Sequence, residues 1–345
     1  MTTTDHTDHT APSSDTPLST SMRAVVQERF GSADTLAVRT MDRPQPSPTQ
    51  VLLEVHAAGI DRGVWHLMTG LPLLGRPVFG LRKPKQPVPG MDVAGRVVAV
   101  GSDVTRLKPG DEVFGVASGS FAEYAAAEQH KLSLKPPSVT WENAGVTPIS
   151  GLTALQSLTE VAQVQPGQHV LVLGASGGVG TFAVQIAKAL GAEVTGVASA
   201  AKADLVRSLG ADHVLDYRID DFADGSTAYD LIVDTGGMSS LRRLRRALTP
   251  RGTLVIVGGE SGARVTGGVG RQGRALLLSP FVSQRLTSFL SREHYDTIDK
   301  LADLLDSGAV VPAIDRVVSL DEVASAIQDL EDGTVRGKVA VRVRP

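Results

Sequence analysis

The stretch 168–188, QHVLVLGASGGVGTFAVQIAK, limits the fold of this chain more than any other. Its consecutive apolar residues Val170, Leu171, Val172 and Leu173 predict a strand buried on both faces, as in a parallel sheet. Glycines end that strand and open an amphipathic helix. Gly177 and Gly178 have no side chain to keep the backbone away from a bulky anion, and Gly180 lets the helix pack closely on the strand. The free N–H groups and the dipole at the helix start favour negative charge, a pyrophosphate above all. The dinucleotide pattern G-x-G-x-x-G is filled here by Ala175, Gly177 and Gly180, so its first glycine is missing. The surroundings support the pattern, because a second strand-like run at 193–198 follows at the expected spacing.

Composition bounds what can accompany that unit. The 345 residues suffice for two domains, and 42% hydrophobic with 21% charged residues is ordinary for a globular protein. A net charge of -3 makes no case for nucleic acid as the main partner. The absence of cysteine removes disulfides, thiolate catalysis and cysteine-ligated zinc, and it is consistent with a reducing, cytoplasmic setting. Residues 1–21 are rich in Thr, Ser, Asp and Pro and are expected to be a disordered tail, with neither signal peptide nor anchor. No later run approaches the ~20 apolar residues that span a bilayer, so no membrane partner is expected.

From 22 to 135 the text is strand-like, with runs at 23–27, 50–57, 93–100, 112–116 and 121–126 separated by Pro and Gly groups. This is the pattern of a small irregular β-barrel. A helical run at 148–162 then leads into strands at 170–174, 193–198, 213–216, 230–234 and 253–257, alternating with helices at 179–190, 202–209 and 241–248. Such alternation builds a doubly wound parallel sheet, giving an α/β fold with a dinucleotide domain at 136–285. Further strands are expected at 275–278 and 281–289, and a helix at 296–305. The remainder, within 286–345, returns to strands at 313–319 and 338–343 around a helix at 320–330, and is expected to pack back on the 22–135 domain.

These residues resemble the medium-chain dehydrogenase/reductase superfamily, and within it the zinc-free quinone-oxidoreductase-like (zeta-crystallin-like) branch. The run Ala175-Ser176-Gly177-Gly178-Val179-Gly180, with Gly167, Gln168, Leu171, Gln185 and Lys188, follows that branch's signature almost position for position. Further matches are VHAAGI (55–60), PVPGMDVAGRV (87–97), KPGDEVFG (108–115), SGLTAL (150–155) and RGKVAV (336–341). The resemblance covers 22–345 and implies a GroES-like substrate domain, a Rossmann domain and a cleft between them. It also implies a homodimer, joined through strands near 275–278. Zinc-dependent relatives place cysteine and histidine where this chain has Asp61 and Met91. Asp61 with His66 or Asp92 is a conceivable ligand set, but Met91 in place of the imidazole argues for no metal.

NAD enzymes place a carboxylate at the end of the second Rossmann strand, whereas this chain reads Ser199-Ala200-Ala201-Lys202. No acid is there to repel a 2′-phosphate and Lys202 offers a cation, so NADPH is the expected cofactor. The resemblance adds Tyr217 beside that phosphate, with Arg218 next to it, and Thr147 or Thr153 near the nicotinamide or its phosphate. It also adds Gly236 with Gly237, and Val257 with Gly258 and Gly259, as close backbone on the other flank. Lys338 could reach the cleft, although a strand-edge lysine is the plainer reading.

Without zinc the substrate must bring its own electrophilicity, which points to quinones and α,β-unsaturated carbonyls. Site candidates stand on 59–66. Asp61 is either a proton donor, if kept protonated, or a structural cap; Trp65 is a cleft wall or a core residue; His66 is a proton donor or a packed imidazole. Related reductases carry Asn at the place of Asp61 and Asp at the place of Val64, so their donor network does not transfer directly. Two other functions stay open. The Arg242, Arg243, Arg245 and Arg246 group raises RNA binding, against an amphipathic helix with a solvated basic face. The altered Asp61 and Val64 positions raise a non-catalytic NADPH-binding sensor.

Overall fold

The structure is a computed structural model that describes residues 20–258 and 264–344. Strands β1 (Ser21–Gln27) and β2 (Leu36–Asp42) pair as an antiparallel ribbon. After them come β3 (Gln50–Ile60), α1 (Arg62–Thr69), α2 (Arg76–Phe79), β4 (Asp92–Val100), β5 (Glu112–Val116), β6 (Tyr124–Glu128) and β7 (Leu132–Leu134). Helices α3 (Trp141–Val146) and α4 (Pro148–Gln156) cross to a second unit: β8 (His169–Leu173), α5 (Gly178–Ala189), β9 (Glu193–Ala198), α6 (Ala203–Ser208), β10 (His213–Asp216), β11 (Tyr229–Asp234), α7 (Leu241–Ala247) and β12 (Leu248–Ile256). The chain closes with α8 (Val269–Leu278), β13 (Arg285–Ser288), α9 (Tyr295–Asp306), β14 (Ile314–Val318), α10 (Val323–Glu331) and β15 (Lys338–Arg342).

The parallel sheet has the order β10-β9-β8-β11-β12-β13. It reverses between β8 and β11, so the loops after those strands diverge and leave a crevice at their carboxyl ends. Val170, Leu171 and Val172 of β8 are fully buried, as expected for a strand covered on both faces. The other sheet runs β14-β15-β3-β4-β5-β7, with β6 on β3. Thus β15 lies against β3 in an antiparallel register that sets Ala340 opposite Gly59. Helix α3 is packed on this second sheet: a Cβ on Gly145 would lie 2.9 Å from Ala57, so only glycine lets the two backbones come so close. Among the described residues no helix is long and apolar enough to cross a membrane.

Several expectations need correction. Residues 275–278 are the last turn of α8 rather than a strand, and the run 281–289 contracts to β13. The consecutive leucines Leu276, Leu277 and Leu278 are ambiguous as a local run. The helix is selected because Ala275 packs into the core beneath the sheet while Leu276 and Leu277 face outward. A dimer through strands at 275–278 therefore has no strands to use. The helix expected to 162 stops at Gln156 and widens into a π-turn at Ser157–Val161. Order begins earlier than expected, since Ser21 already pairs with Asp42; residues 1–19 lie outside the described residues. Strand β2 falls outside the expected runs, because the apolar residues Leu36, Val38 and Met41 of LAVRTMD are only partly covered and Arg39 and Thr40 interrupt them.

Candidate functional site

The crevice becomes a cavity of about 320 Å³ where the start of α5 meets the start of α1. Gly174, Ser176, Gly177, Gly178 and Val179 form one wall and Ile60, Asp61, Arg62 and Gly63 the other. The turn folds tightly because Gly174 takes a left-handed φ of 78° and its carbonyl would lie 2.1 Å from a Cβ on Gly180. Gly177 caps α5 without any side-chain hydrogen bond, so the first N–H groups of the helix are left for a ligand. Bare backbone donors at the cavity wall are what a pyrophosphate requires, and the residues fit a dinucleotide. Thr235 and Gly236, after β11, complete that side.

Lys338 supplies charge beneath this turn. It is 1% exposed, and its Nζ donates to Asp92 Oδ2 at 3.0 Å and to Ser150 Oγ at 3.2 Å. Its stem lies 3.2 Å from where a Cβ on Gly178 would be. Asp92 accepts a further hydrogen bond from the Ile149 N–H at 2.7 Å. Burial pushes the Asp92 carboxyl up to about 7; the Lys338 ammonium acts against this and the charge of Asp61 adds to it. The strand-edge reading of Lys338 is thus corrected: β15 lies between β14 and β3, with no open edge at this end.

Asp61 caps α1, its Oδ1 accepting from the Val64 N–H at 3.1 Å, while its buried Oδ2 has no partner. It reaches the cavity; Trp65 and His66 do not. Trp65 packs beside the core built on α10 and β15, under the Arg62 guanidinium. The Nδ1 of His66 is held 2.8 Å from the Leu71 carbonyl oxygen. Helix periodicity explains the divergence, since Asp61 sits at the helix mouth while Trp65 and His66 lie a turn deeper. The residues considered as a ligand set are engaged separately: Asp61 caps α1, Asp92 is paired with Lys338 and His66 is turned to a carbonyl. They do not converge on one point, and among the described residues no group of three or more His, Asp or Glu side chains is placed to hold a metal ion.

On the cofactor side, Lys202 lines the cavity, but its Nζ donates to the carbonyl oxygens of Gly333 at 2.8 Å and Val335 at 2.7 Å. Burial holds its ammonium below the usual lysine range, Asp315 acting against this. Ser199 precedes it at the end of β9. Tyr217, beneath Arg218, is exposed just after β10. Thr147 is buried and donates to Asn143 O, and Thr153 donates to Ile149 O; neither lines the cavity. Ala175 and Gly180 lie behind the turn, and Val257 and Gly258 follow β12; Gly259 is outside the described residues. Arg271 of α8 braces this flank, bonding Asp234, Ser239 O and Gly258 O. In α7, Arg243 and Arg246 pair with Asp221 and Arg245 with Gln284, which leaves little of a basic face for RNA.

Ser150 and the loop Gly333–Gly337 carry no expectation as site residues, and Asp92, considered only as a metal ligand, is instead the counter-ion of Lys338. A signal existed for Asp92: it and Lys338 each open an otherwise mostly apolar strand, and two buried charges of opposite sign require each other.

Residues 47–137 match the family described as alcohol dehydrogenase GroES-like domain, and 209–341 the family described as zinc-binding dehydrogenase. A 2-methylene-furan-3-one reductase of Solanum lycopersicum is 32% identical over 94% of this chain and 80% of its own length. An NADPH-dependent alkenal/one oxidoreductase of Arabidopsis thaliana, chloroplastic, is 32% identical over 93% and 79%. Among solved structures, the quinone oxidoreductase from Coxiella burnetii superposes with a TM-score of 0.83 at 28% identity, covering 94% of this chain and all of its own. The chain belongs to the medium-chain dehydrogenase/reductase superfamily, in its quinone-oxidoreductase-like branch.

Proposed function

We propose that the chain is an NADPH-dependent reductase acting on quinones or α,β-unsaturated carbonyl compounds. The observation that carries this reading is the convergence of the bare α5 turn, Lys338 and Lys202 on one cavity whose opposite wall is Asp61 with Ile60 and Gly63. A bound nicotinamide supplies the hydride. The α5 N–H groups with Lys338 suit the pyrophosphate. Lys202, with Ser199 and Tyr217 nearby, suits the 2′-phosphate, because no carboxylate stands at the end of β9 to repel it. Asp61 lines the cavity, and its unpartnered Oδ2 would accept from a hydroxyl or amide of whatever enters. Ile60, Ile149 and Val179 make part of the wall apolar, which restricts water around the reacting carbon. An acceptor with a conjugated carbonyl carries its own electrophilicity and needs no Lewis acid.

The deciding measurement is NADPH oxidation across a panel of quinones, alkenals and alkenones. Turnover is expected on at least one conjugated acceptor and none on simple alcohols with NADP⁺. Flat traces across the panel, with NADPH still bound, would sink the reductase reading in favour of a sensor. Cofactor choice has its own test: Lys202→Ala should weaken NADPH binding roughly tenfold, the loss of one charge-assisted contact, and leave NADH nearly unchanged. Equal losses for both cofactors would remove Lys202 from 2′-phosphate recognition.

A further inference from the structure

Two stretches of the chain contain no carboxylate. Residues 62–91 hold Arg62, Arg76, Arg82, Lys83 and Lys85, and residues 261–292 hold Arg264, Arg271, Arg274, Arg285 and Arg292, without one Asp or Glu in either. In a protein with 37 acidic residues and a net charge of -3 this is a marked segregation of sign. The fold then brings the two stretches together. Leu73 and Leu74 donate their N–H groups to Arg264 O at 3.0 Å and Val265 O at 3.1 Å, and a Cβ on Gly267 would lie 3.1 Å from the Pro72 ring.

The joined surface is apolar as well as basic. Leu74 is 59% exposed, Val78 71%, Leu81 74% and Val265 55%, with Leu73 and Val269 beside them. Arg82, Lys83, Lys85, Arg264 and Arg274 are exposed around these side chains. The surface is linked to both walls of the cleft. Segment 71–81 follows the C-terminal end of α1, whose N-terminal end at Asp61 to Gly63 lines the cavity, and α8 is tied by Arg271 to Ser239 O and Gly258 O, in the loops that also carry Thr235 and Gly236 of the cavity wall.

We propose that this face docks on an anionic membrane surface, with the aliphatic side chains entering the interface and the cations meeting lipid headgroups. Aliphatic residues carried on short turns within a ring of Lys and Arg are the pattern of peripheral membrane contact. A protein partner is the poorer match, since Leu and Val are under-represented among interface hot spots. The contact is peripheral, because no described helix spans a bilayer. Combined with the reductase reading, it holds the protein at the surface where lipophilic quinones and alkenals partition. Docking itself is measured without turnover, so the two readings fail separately.

The test is co-sedimentation of the purified full chain with vesicles of phosphatidylcholine alone and with vesicles containing about one-third phosphatidylserine. Partition is expected on the anionic vesicles only, falling as salt is raised. Arg82→Ser with Lys83→Ser should reduce it roughly fivefold for each charge removed. Leu74→Ser with Leu81→Ser should reduce it further, while NADPH binding and the melting temperature stay unchanged because these side chains are exposed. Absence of partition on anionic vesicles overturns the proposal, as does partition that neither pair of substitutions alters. A dimer in sedimentation equilibrium that Leu74→Ser with Leu81→Ser dissociates also overturns it, since a second copy then covers the face.

Discussion

Lys338 of β15 and Asp92 of β4 meet across β3 of the same sheet as a pair of charges withdrawn from water. Ionic burial costs several kcal/mol for each ion, and the mutual hydrogen bond with the Ser150 and Ile149 contacts offsets it. Lys338→Met should therefore destabilise the protein by about 3–5 kcal/mol in urea unfolding, because Asp92 is left buried without its counter-ion. The pH dependence follows from the raised Asp92 carboxyl. Its folded value, about 7, exceeds the unfolded 3.8, so between these values the folded state retains a proton that the unfolded chain releases. This contribution is complete below pH 3.8 and is lost as pH rises to about 7. Melting curves of the wild type and Asp92→Asn should accordingly converge or cross over that interval, with little relative change above it; parallel curves across it would contradict the account. Each residue is visible in the sequence. Their meeting is not, since 246 positions separate them.

At the scale of elements, the β8–α5 unit and α8 make opposite cases. In β8–α5, strand, turn and helix are contiguous, and every constraint lies within a dozen residues. A Cβ at Gly180 would come within 2.1 Å of the Gly174 carbonyl oxygen and 2.8 Å of Ala175 Cα, both backbone atoms that cannot move aside cheaply. Gly180→Ala should thus lose dinucleotide binding by titration calorimetry and lower stability by more than about 1 kcal/mol. Gly273 in α8 has nothing within 4 Å of its would-be Cβ, so Gly273→Ala should stabilise the chain by about 0.5–1 kcal/mol through helix propensity alone. A destabilised Gly273→Ala would mean that this face of α8 is covered in solution. Helix α8 escaped the sequence reading because its apolar run suits a strand equally well, and only the burial of Ala275 under β12 and β13 distinguishes them.

At the scale of the whole molecule, the cleft lies between two sheets, and Lys202 ties the parallel one to the Gly333–Val335 carbonyls that lead into β15 of the other. A ligand held between them stabilises both. NADPH at a hundredfold excess over its Kd should add about 2.7 kcal/mol and raise a single melting transition; two transitions, only one of them shifted, would show that the sheets unfold independently. What the sequence determined by itself was local and periodic: the buried parallel strands, the glycine turn with its anion-binding helix start, the barrel-like text before it, and the absence of a carboxylate after β9. These depend on neighbours within a few residues, so composition and spacing carry them. What only the tertiary structure decided was long-range. It turned Asp61 into the cavity and Trp65 and His66 away from it, buried Lys338 against Asp92, occupied Lys202 with two distant carbonyls, and brought two acid-free stretches onto one face. Each of these is a meeting of residues 100 or more positions apart or a choice of helix face, and the packing of the two sheets sets both.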